Sequence, residues 1–421
     1  MIGKTSKINK NNKIYKLLII IASISSCVCA EELSLLKFSD LEMSKIINER
    51  SHLIQKLENN YNVNFLPETQ LISLRSKYID LDFNITKKQY IENINFQPYP
   101  FYIDFYRESL VIVDRQSRLF LINLNELDQS PIKKIKLDKH IIKGDISDNN
   151  IFVLDSFINE GSIYISYSYG SPSCKRMGII RSKLPPNKIS FENIFSPEEC
   201  SRVIMGGRMG AINSEGADGL LITTSSEDNE NPDLRAQNLY SIYGKILFID
   251  LQTLKHVNYS IGHRNSQGLY IGVDGVIIET EHGPRGGDEI NFIKKGRNYG
   301  WPIASYGEKY GEKESQPTFK KEHLEHGFEE PIYSFVPSIA ISEIVKIPIN
   351  FNIFWERDFL IASLNKKSIF RVRFSKDYSK VILVEPIYIG SRVRDMKFSP
   401  DGKKLYLALE MPNQIMVLSP Q

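Results

Sequence analysis

The sequence predicts an all-β protein, a six-bladed β-propeller preceded by an N-terminal signal peptide and a short helical extension. After Pro98 the chain consists of short apolar or alternating runs separated by turn residues, which are typical of strands. Six such segments start roughly 50 residues apart, with one longer gap. This spacing is typical of four-stranded propeller blades, which repeat every 40 to 50 residues or about that. The six segments are Leu110 to Leu124, Ser162 to Leu184, Leu220 to Leu251, Gly275 to Ile293, Arg357 to Phe374, and Arg394 to Leu418.

The length of the chain fits this interpretation, because 421 residues suffice for one large all-β domain and an extension. The turn Ser399-Pro400-Asp401-Gly402 comes directly before Lys403-Lys404-Leu405-Tyr406, which has the pattern of a strand. This order predicts a hairpin near the C-terminus. A β-sandwich with insertions is the second fold that the pattern allows.

Residues 1–30 have the composition of an export signal. Five lysines and no acidic residue precede an apolar run from Leu17 to Ala30, which is too short to span a membrane comfortably. Cleavage after Ala30 would start the mature chain at Glu31, and an uncleaved anchor is the alternative. Ile24-Ser25-Ser26-Cys27 also resembles a lipoprotein signal, in which Cys27 is acylated. We therefore expect a periplasmic or secreted protein that contacts a membrane only if it is lipidated at Cys27.

The charge of the chain depends largely on this signal. Removal of its five lysines lowers the formal net charge from +3 to −2. Nucleic-acid binding then has no electrostatic support, and we expect no nucleic-acid partner. Cys174 and Cys200 remain after the signal in a chain bound for an oxidising compartment, which favours a disulfide between them. Two unpaired buried thiols are the alternative, because a sequence does not give the distance between Cα atoms.

Residues 31–97 differ from the rest of the chain and are interpreted as a partly helical extension. Seven apolar residues fall on one helical face and predict an amphipathic helix; they are Leu41, Met43, Ile46, Ile47, Leu53, Ile54 and Leu57. Pro98-Tyr99-Pro100 marks the boundary, so the propeller is assigned to 98–421.

Candidate functional residues are concentrated between Gly262 and Pro302. His263, Arg264, Asn265 and Gln267 place several hydrogen-bond donors beside an apolar strand. Gly283 and Pro284 follow, and a loop of this composition exposes main-chain carbonyl oxygens that suit a hard cation, although Gly-Pro on its own is usually a turn. Asp288 and Glu289 are candidates to stabilise that loop. Asn298 to Pro302 is interpreted as architecture, and a structural role is also favoured for His263.

A second candidate group is the pair Arg392 and Arg394, whose alternation predicts a common strand face. Planar guanidinium groups bind carboxylates through two hydrogen bonds. Taken in isolation the pair would be interpreted as two surface arginines.

The order of these residues resembles the active-site core of the soluble quinoprotein glucose dehydrogenases, the glucose/sorbosone or aldose sugar dehydrogenase family. The resemblance implies oxidation of a sugar hydroxyl or hemiacetal by hydride transfer to pyrroloquinoline quinone (PQQ), with calcium as a second cofactor. The implied partners are a small-molecule sugar or polyol and an external electron acceptor.

The resemblance also implies a role for each matching residue. Arg264, Asn265 and Gln267 would line PQQ, and Arg264 would polarise its reactive carbonyl. Arg392 and Arg394 would bind the cofactor carboxylates. The main-chain oxygens of Gly283 and Pro284 would hold calcium.

The chain departs from the family pattern where the general base is expected. Aligned without gaps, Leu154 occupies the place of the family histidine, and the loss of a general base costs roughly 10² to 10⁴ in rate. Asp155 is adjacent, but neighbouring strand residues point to opposite faces. His140 is another candidate.

Further departures are Ser225-Ser226 in place of Gly-Asp, Asn365 followed by Lys366 at a lysine position, and Phe335 or Val336 in place of a covering tryptophan. The sequence therefore leaves open a second function, a catalytically degenerate propeller that binds a carbohydrate or a cofactor.

Other catalytic classes find no support. The sequence has neither a nucleophile elbow nor a phosphate-binding glycine loop, and Glu281 and His282 lack the spacing of a zinc helix. The glycines from Gly283 to Gly287 do not open a helix in a βαβ unit, which excludes a dinucleotide site of that type.

Overall fold

A computed structural model describes residues 83–88, 100–115, 117–124, 133–136, 151–184, 190–226, 234–310, 319–411 and 413–420. For 83–88 and 133–136 it describes the backbone alone. All of them belong to one compact unit, Pro67–Gln421. The predicted helix near residues 41 to 57 and the candidate His140 lie outside the described residues.

The described chain forms six antiparallel sheets of four strands each. The first three blades follow one another in sequence order. Blade 1 contains β2 (Phe101–Tyr106), β3 (Ser109–Asp114), β4 (Arg118–Asn123) and β5 (Lys133–Lys136). Blade 2 contains β6 (Phe152–Asn159), β7 (Ser162–Ser171), β8 (Cys174–Lys183) and β9 (Glu192–Phe195). Blade 3 contains β10 (Gly206–Ser214), β11 (Ala217–Thr224), β12 (Lys245–Asp250) and β13 (His256–Ile261).

The remaining blades complete the set. Blade 4 contains β14 (Ser266–Ile271), β15 (Ile277–Glu281), β16 (Asp288–Phe292) and β17 (Tyr333–Phe335). Blade 5 contains β18 (Ile341–Lys346), β19 (Asp358–Ser363), β20 (Ser368–Phe374) and β21 (Val381–Tyr388). Blade 6 contains β22 (Arg392–Phe398), β23 (Leu405–Glu410), β24 (Gln414–Pro420) and β1 (Phe83–Lys88). Helical turns in the described chain are short 3₁₀ segments, Leu234–Ala236, His323–His326 and Ile353–Trp355. In this part of the chain no helix has the length and apolar character that a membrane crossing requires.

The predicted six-bladed propeller is therefore confirmed. Each of the six predicted segments falls in a different blade, and the longer gap corresponds to the connection between β16 and β17 inside blade 4. The innermost strands contact one another in the order β2, β6, β10, β14, β18 and β22, and β22 contacts β2 again. The blades thus form a closed ring whose axis is lined by these six strands.

Apolar side chains between neighbouring blades hold the ring together. The described residues form one buried apolar cluster for each of the six blade interfaces. Between blades 1 and 2, for example, Val111 and Val113 pack against Ile163 and Ile165, and all four are at most 1% exposed. Burying such a side chain contributes about 1.5 to 3 kcal/mol, so the interfaces supply most of the favourable energy of folding.

The ring closes through the two ends of the described chain. Strand β1 pairs antiparallel with β24, from Phe83 opposite Pro420 to Lys88 opposite Ile415. Strand β1 precedes Pro98, so blade 6 takes one strand from the segment that the sequence analysis assigned to the extension.

The predicted disulfide is present. Cys174 at the start of β8 is bonded to Cys200, and their Cα atoms are 5.1 Å apart. The bond ties the loop after β9 to blade 2, where the backbones of Lys175 and Ser201 also pair.

Five of the six innermost strands contain an irregularity near the axis. The register shifts at Leu154 in β6, at Gly207 and Arg208 in β10, at Gln267 in β14, and at Arg394 in β22. A matching shift occurs between Ile341 and Ile344 in β18. Bulges of this kind bend a strand and redirect its side chains, and here they determine which residues face the axis.

Candidate functional site

The side chain of Arg208 connects the innermost strands at the propeller axis. Its Nη1 lies 3.0 Å from Asp155 Oδ1 of β6, 2.9 Å from Glu343 Oε2 of β18 and 2.9 Å from Asp395 Oδ1 of β22. All four side chains are at most 6% exposed. We call these four residues the axial cluster.

Arg208 makes three further contacts, two of which are with strands that supply no acidic partner to it. Its Nε donates to the main-chain oxygen of Gln267 in β14 at 2.7 Å, and Nη2 donates to that of Arg394 at 3.0 Å. Its guanidinium lies 5.2 Å from the ring centroid of Tyr102 in β2. One side chain therefore contacts all five other innermost strands.

The carboxylates of the axial cluster also cap backbone groups. Asp155 Oδ2 accepts a hydrogen bond from Met209 N at 3.1 Å, and Asp395 Oδ2 accepts one from Ile103 N at 2.8 Å. Both bonds cross from one blade to another. Backbone N–H groups near the axis therefore have hydrogen-bond acceptors from side chains of the neighbouring blade.

Burial dominates the electrostatics of the axial cluster. It raises the pKa of Asp155 to about 6 and that of Glu343 to about 8, although the Arg208 charge opposes both shifts. Burial also acts to lower the pKa of Lys397, but the facing carboxylates of Asp104 and Glu343 more than offset this and hold it above its ordinary value. The axis therefore combines fixed positive charge with carboxyl groups that protonate near neutral pH.

The three predicted cofactor residues of blade 4 lie at one mouth of this axis. Asn265 Oδ1 accepts a hydrogen bond from Gln267 Nε2 at 2.9 Å, and Asn265 is 6% exposed. The backbone N–H of Arg264 donates to Glu281 Oε2 at 2.7 Å, and its guanidinium lies 5.3 Å from the Trp301 ring. These contacts hold the three side chains in fixed positions.

The predicted arginine pair of blade 6 shares a single carboxylate. Arg392 Nε lies 3.1 Å from Glu410 Oε2, and Arg394 Nε lies 2.6 Å from Glu410 Oε1. Burial would raise the pKa of Glu410, but Arg394 and Arg392 lower it below its ordinary value. The bulge at Arg394 interrupts the strict alternation expected from the sequence, and yet both guanidinium groups reach the same partner.

Blade 4 and blade 6 meet through these residues. Arg394 Nη1 donates to Gln267 Oε1 at 3.3 Å, across 127 positions of sequence. Asn265, Gln267, Arg394, Glu410 and Arg392 thus form one continuous chain of polar contacts. The structure brings the two predicted groups together at the axis.

The predicted cation loop lies next to Arg264, whose Nη1 donates to the main-chain oxygen of His282 at 3.0 Å. Gly283 is required here because a Cβ atom would collide with the carbonyl oxygens of Gly286 and Gly287. Asp288 is fully buried and closes the loop, since its Oδ1 accepts from Gly283 N at 3.0 Å.

Asp288 also joins the cation loop to blade 5, because its Oδ2 accepts hydrogen bonds from Ile339 N and Ile341 N. The main-chain oxygen of Pro284 already accepts from the Tyr310 hydroxyl at 3.1 Å. A carbonyl oxygen has two lone pairs, so this contact is compatible with a cation ligand. A crowded loop of carbonyl oxygens beside buried carboxylates fits a hard cation.

The loop that carries Arg264 is held by the turn that follows β16. Tyr299 N donates to Ile261 O and Trp301 N to Gly262 O, both at 2.9 Å. Gly262 has φ +80°, and a Cβ there would collide with the Asn298 side chain. Asn298 Nδ2 in turn donates to Gln237 Oε1 at 2.7 Å. The turn is architecture, as the sequence analysis expected.

Comparison with known proteins shows the family of this chain. The family described as Glucose / Sorbosone dehydrogenase matches residues 97–417. The chain belongs to this family. It is 28% identical to aldose sugar dehydrogenase YliI of Escherichia coli strain K12 over 299 residues, which cover 65% of this chain and 76% of the relative.

Two further proteins are similar to this glucose/sorbosone dehydrogenase family member. Quinoprotein glucose dehydrogenase B of Acinetobacter calcoaceticus is 25% identical over 245 residues, which cover 44% of this chain and 51% of that protein. The crystal structure of the apo form of the soluble aldose sugar dehydrogenase from Escherichia coli matches with a TM-score of 0.65 and 24% identity. That match covers 80% of this chain and the whole of the other, and it supports the propeller fold.

The residues around the expected general base of this family member are enclosed. Leu154 is 8% exposed and packs in the apolar cluster between blades 2 and 3, against Gly207. Asp155 is 4% exposed, and both of its oxygens accept hydrogen bonds, from Arg208 and Met209. The register of β6 shifts between Val153 and Asp155, so the pairing with β7 skips Leu154.

The other positions that depart from the family pattern are spread around the same mouth. Ser226 N donates to Arg264 O at 2.8 Å. Val336 is 68% exposed beside Gly286, whereas Phe335 is buried between blades 4 and 5. Lys366 is exposed in the turn between β19 and β20, where its N–H donates to Ser363.

Sequence reasoning missed the axial cluster, although it left a signal. Asp155, Glu343 and Asp395 are each the single acidic residue of an innermost strand, in FVLDSFIN, ISEIVK and RVRDMKF respectively. A buried carboxylate needs a compensating partner, and Arg208 follows two glycines at the start of β10. Three acidic interruptions and one arginine at the same place in four strands are the pattern that would have predicted the cluster.

We predict that Arg208→Met destabilises the propeller strongly. Removal of one partner from a buried ion pair costs about 3 to 5 kcal/mol because the remaining carboxylates stay buried. Urea unfolding would measure the loss. The control is Arg181→Met, because the partner of Arg181, Glu192, is 61% exposed and such a pair contributes at most about 1 kcal/mol. Equal losses in the two variants would contradict the central role of Arg208.

The raised pKa of Glu343 predicts a specific pH dependence. An acid whose pKa is raised on folding stabilises the fold below its ordinary pKa, and this stability is lost as the pH rises through the folded value. For Glu343 this stability is lost between pH 4.5, the ordinary pKa, and about 8, the pKa in the folded protein. Between pH 5 and 8.5 the unfolding free energy of the wild type should therefore fall relative to that of Glu343→Gln.

Urea unfolding at both pH values tests this expectation. Asp250→Asn serves as the control, because hydrogen bonds from Thr253 and Gln252 lower the pKa of this exposed carboxyl below the window. A difference between wild type and Glu343→Gln that is the same at pH 5 and pH 8.5 would refute the assignment.

Proposed function

We propose that this chain is a PQQ- and calcium-dependent sugar dehydrogenase that oxidises a hydroxyl or hemiacetal of an aldose and passes electrons to an external acceptor. The observation that carries the proposal is the hydrogen bond between Gln267 of blade 4 and Arg394 of blade 6 at the axis. It joins the arginine pair to the loop of Arg264, next to the Gly283 and Pro284 carbonyls. The similarity to named aldose and quinoprotein glucose dehydrogenases supports the reaction class.

The charges of the site suit a planar polycarboxylate. Arg392 and Arg394 keep 33% and 15% of their side chains exposed and have one carboxylate, Glu410, between them. Two guanidinium groups on one carboxylate retain a net positive charge, and they would bind cofactor carboxylates. The carbonyl oxygens of Gly283 and Pro284 would hold calcium beside them.

PQQ supplies a quinone carbonyl that accepts a hydride from the sugar carbon. Arg264 would donate a hydrogen bond to that carbonyl oxygen, since its guanidinium is fixed by His282 O and by the Trp301 ring. Asn265 and Gln267 would orient the ring from the same side. Preorganised donors of this kind need no rearrangement when charge develops on the oxygen.

A second candidate function is a binding module without turnover. It is favoured by the position that should supply the base, because Leu154 has no proton acceptor and both oxygens of Asp155 are engaged by Arg208 and Met209. Such a protein would bind PQQ or a carbohydrate at the same mouth and would not transfer a hydride.

Reconstitution separates the two functions. Purified full-length protein is mixed with PQQ and CaCl₂, the quinone absorption is recorded, and reduction of a dye is followed after addition of aldoses. A shifted absorption with sugar-dependent dye reduction supports the dehydrogenase. A shift without dye reduction supports the binding module, and the absence of both signals refutes the cofactor assignment.

We predict that Arg392→Ala weakens the binding of PQQ. Loss of one charge-assisted hydrogen bond costs about 1.5 to 3 kcal/mol, which corresponds to an increase in Kd of roughly 10- to 150-fold. Titration of the quinone absorption measures this Kd. Arg181→Ala, on the outer part of blade 2, should leave it unchanged. An unaltered Kd in Arg392→Ala would remove this residue from the site.

We also propose that residues 1–30 direct export and that residues 31–97 precede the bulk of the propeller. The lysines before Leu17 and the apolar run that follows support an export signal. Intact-mass analysis of protein from the exported fraction tests it. A mass that starts at Glu31 indicates cleavage, an acylated Cys27 indicates lipidation, and a mass that starts at Met1 contradicts processing.

A further inference from the structure

Blade 4 contains a group of acidic side chains beneath the loop of Arg264. Glu279 and Glu281 lie on one face of β15, and Glu289 and Asn291 lie opposite them on β16. Glu281 is directly paired with Glu289, and Glu279 with Asn291. His263 from the preceding loop completes this set, which we call the blade-4 cluster.

The three carboxyl groups of the blade-4 cluster are deeply buried. Glu279 is 0%, Glu281 3% and Glu289 5% exposed. Acidic residues directly opposite each other destabilise a sheet, and a buried charge needs a partner.

Two basic residues, Lys245 and Arg264, lie near the blade-4 cluster, and the charge of Arg264 acts on Glu281. The ammonium of Lys245 is fully buried and donates to three main-chain oxygens, those of Arg235, Ala236 and Tyr243, at 2.6 to 2.9 Å. Arg264 meets the cluster through its backbone N–H, while its guanidinium donates to His282 O. The blade-4 cluster therefore carries an excess of acidic groups.

Several polar atoms of the cluster have no hydrogen-bond partner although they are buried. They are His263 Nδ1, Glu279 Oε1 and Asn291 Oδ1. Native proteins rarely leave such atoms unpaired, and an ion or a water is a common reason when they do. An imidazole nitrogen, a carboxylate oxygen and an amide oxygen are all metal ligands.

The geometry around His263 suits a metal ligand. Its Nε2 is paired with Ser260 Oγ at 2.8 Å, and its ring stacks on Tyr299 with centroids 4.7 Å apart. Nδ1 is thereby directed at the carboxylates and lies 3.9 Å from Glu281 Oε2. A ligand histidine usually makes such a bond through its second nitrogen, which fixes the ring.

The spacing of the side chains allows a single ion. His263, Glu279 and Glu281 each offer one ligand atom, and these three atoms lie within 4.8 Å of one another. Zinc binds nitrogen and oxygen ligands at about 2.0 to 2.2 Å, so shifts of the side chains by about 1 Å would bring the three atoms into contact with it.

We propose that the blade-4 cluster binds one divalent transition-metal ion of the zinc class, with His263, Glu279 and Glu281 as ligands. Asn291 Nδ2 donates to Glu279 Oε2 at 3.2 Å and positions that carboxylate. An imidazole nitrogen among the ligands favours such an ion over calcium or magnesium. The ion is structural, because these ligands are enclosed by the sheet. It fixes Glu281, which holds the backbone of Arg264, and it is separate from the carbonyl loop at Gly283 and Pro284. The inference does not rest on the proposed function.

Cobalt is the probe that tests this site. Full-length protein is produced in cells supplied with Co²⁺, since a buried site loads during folding, and is then dialysed against chelating resin with CaCl₂ present. We expect about one Co²⁺ per chain by elemental analysis, with visible absorption bands that report nitrogen and oxygen ligands. Excess Ca²⁺ should leave both signals unchanged.

Isosteric variants identify the ligands. Glu279→Gln should lose at least nine-tenths of the bound Co²⁺ and the visible bands, and so should His263→Gln. The matched control is Glu343→Gln, which also removes a buried carboxylate but lies in blade 5, and it should keep both signals. Circular dichroism shows whether each variant is folded.

Three results would overturn the proposal. They are a wild-type protein that retains less than one-tenth equivalent of Co²⁺, cobalt that Ca²⁺ displaces, and cobalt that remains in both folded ligand variants. If the variants do not fold, the stoichiometry and the spectrum of the wild-type protein decide. Neither measurement uses PQQ or sugar, so a failure here is distinct from a failure of the dehydrogenase assignment.

Discussion

The structure of the propeller depends on one charged group at its axis, the guanidinium of Arg208. The apolar clusters between the blades account for the cohesion of neighbouring sheets, but they do not extend to the axis, where six strands converge and bulges interrupt their pairing. A planar group with five donors can satisfy several strands at once, which a single apolar side chain cannot do. Arg208 pairs with Asp155, Glu343 and Asp395, and two of these carboxylates, Asp155 and Asp395, also accept hydrogen bonds from the backbone of neighbouring blades. The mouth that we propose as the cofactor site lies next to this guanidinium, since Gln267 and Arg394 contact Arg208 through their main-chain oxygens.

The sequence predicted the middle of each blade better than its edges. The segments Ser162 to Leu184 and Arg357 to Phe374 correspond to the two central strands of blades 2 and 5, which are covered on both faces and read as apolar runs. The innermost strands of blades 1 to 5 lie outside the predicted segments, because residues such as Asp155 and Glu343 interrupt their apolar pattern. The outermost strands are short or partly exposed, as Glu192–Phe195 illustrates, and give a weak signal.

The candidate site could be predicted in part for a related reason. Arg264, Gln267 and Arg394 were identified because their motifs resemble a known family, and chain periodicity alone would not have brought blade 4 to blade 6. The bulges could not be foreseen, because they depend on contacts across the axis rather than on local sequence. One of them lies at Leu154, which the pairing of β6 with β7 skips. Asp288, Asn298 and Gln237 show how the mouth is kept rigid, since each bonds two loops that are distant in sequence.

The pairing of β1 with β24 has a consequence for the order of assembly. Phe83 pairs with Pro420, so the first described strand stays without its neighbour until the residues of β24 have left the ribosome. Loop closure over most of the chain is entropically unfavourable and slows folding. Blades 1 to 5 contain only strands that are close in sequence and can form during synthesis, whereas blade 6 forms last. Loss of a few residues at either end of this pair would expose an unprotected sheet edge, which is a template for aggregation.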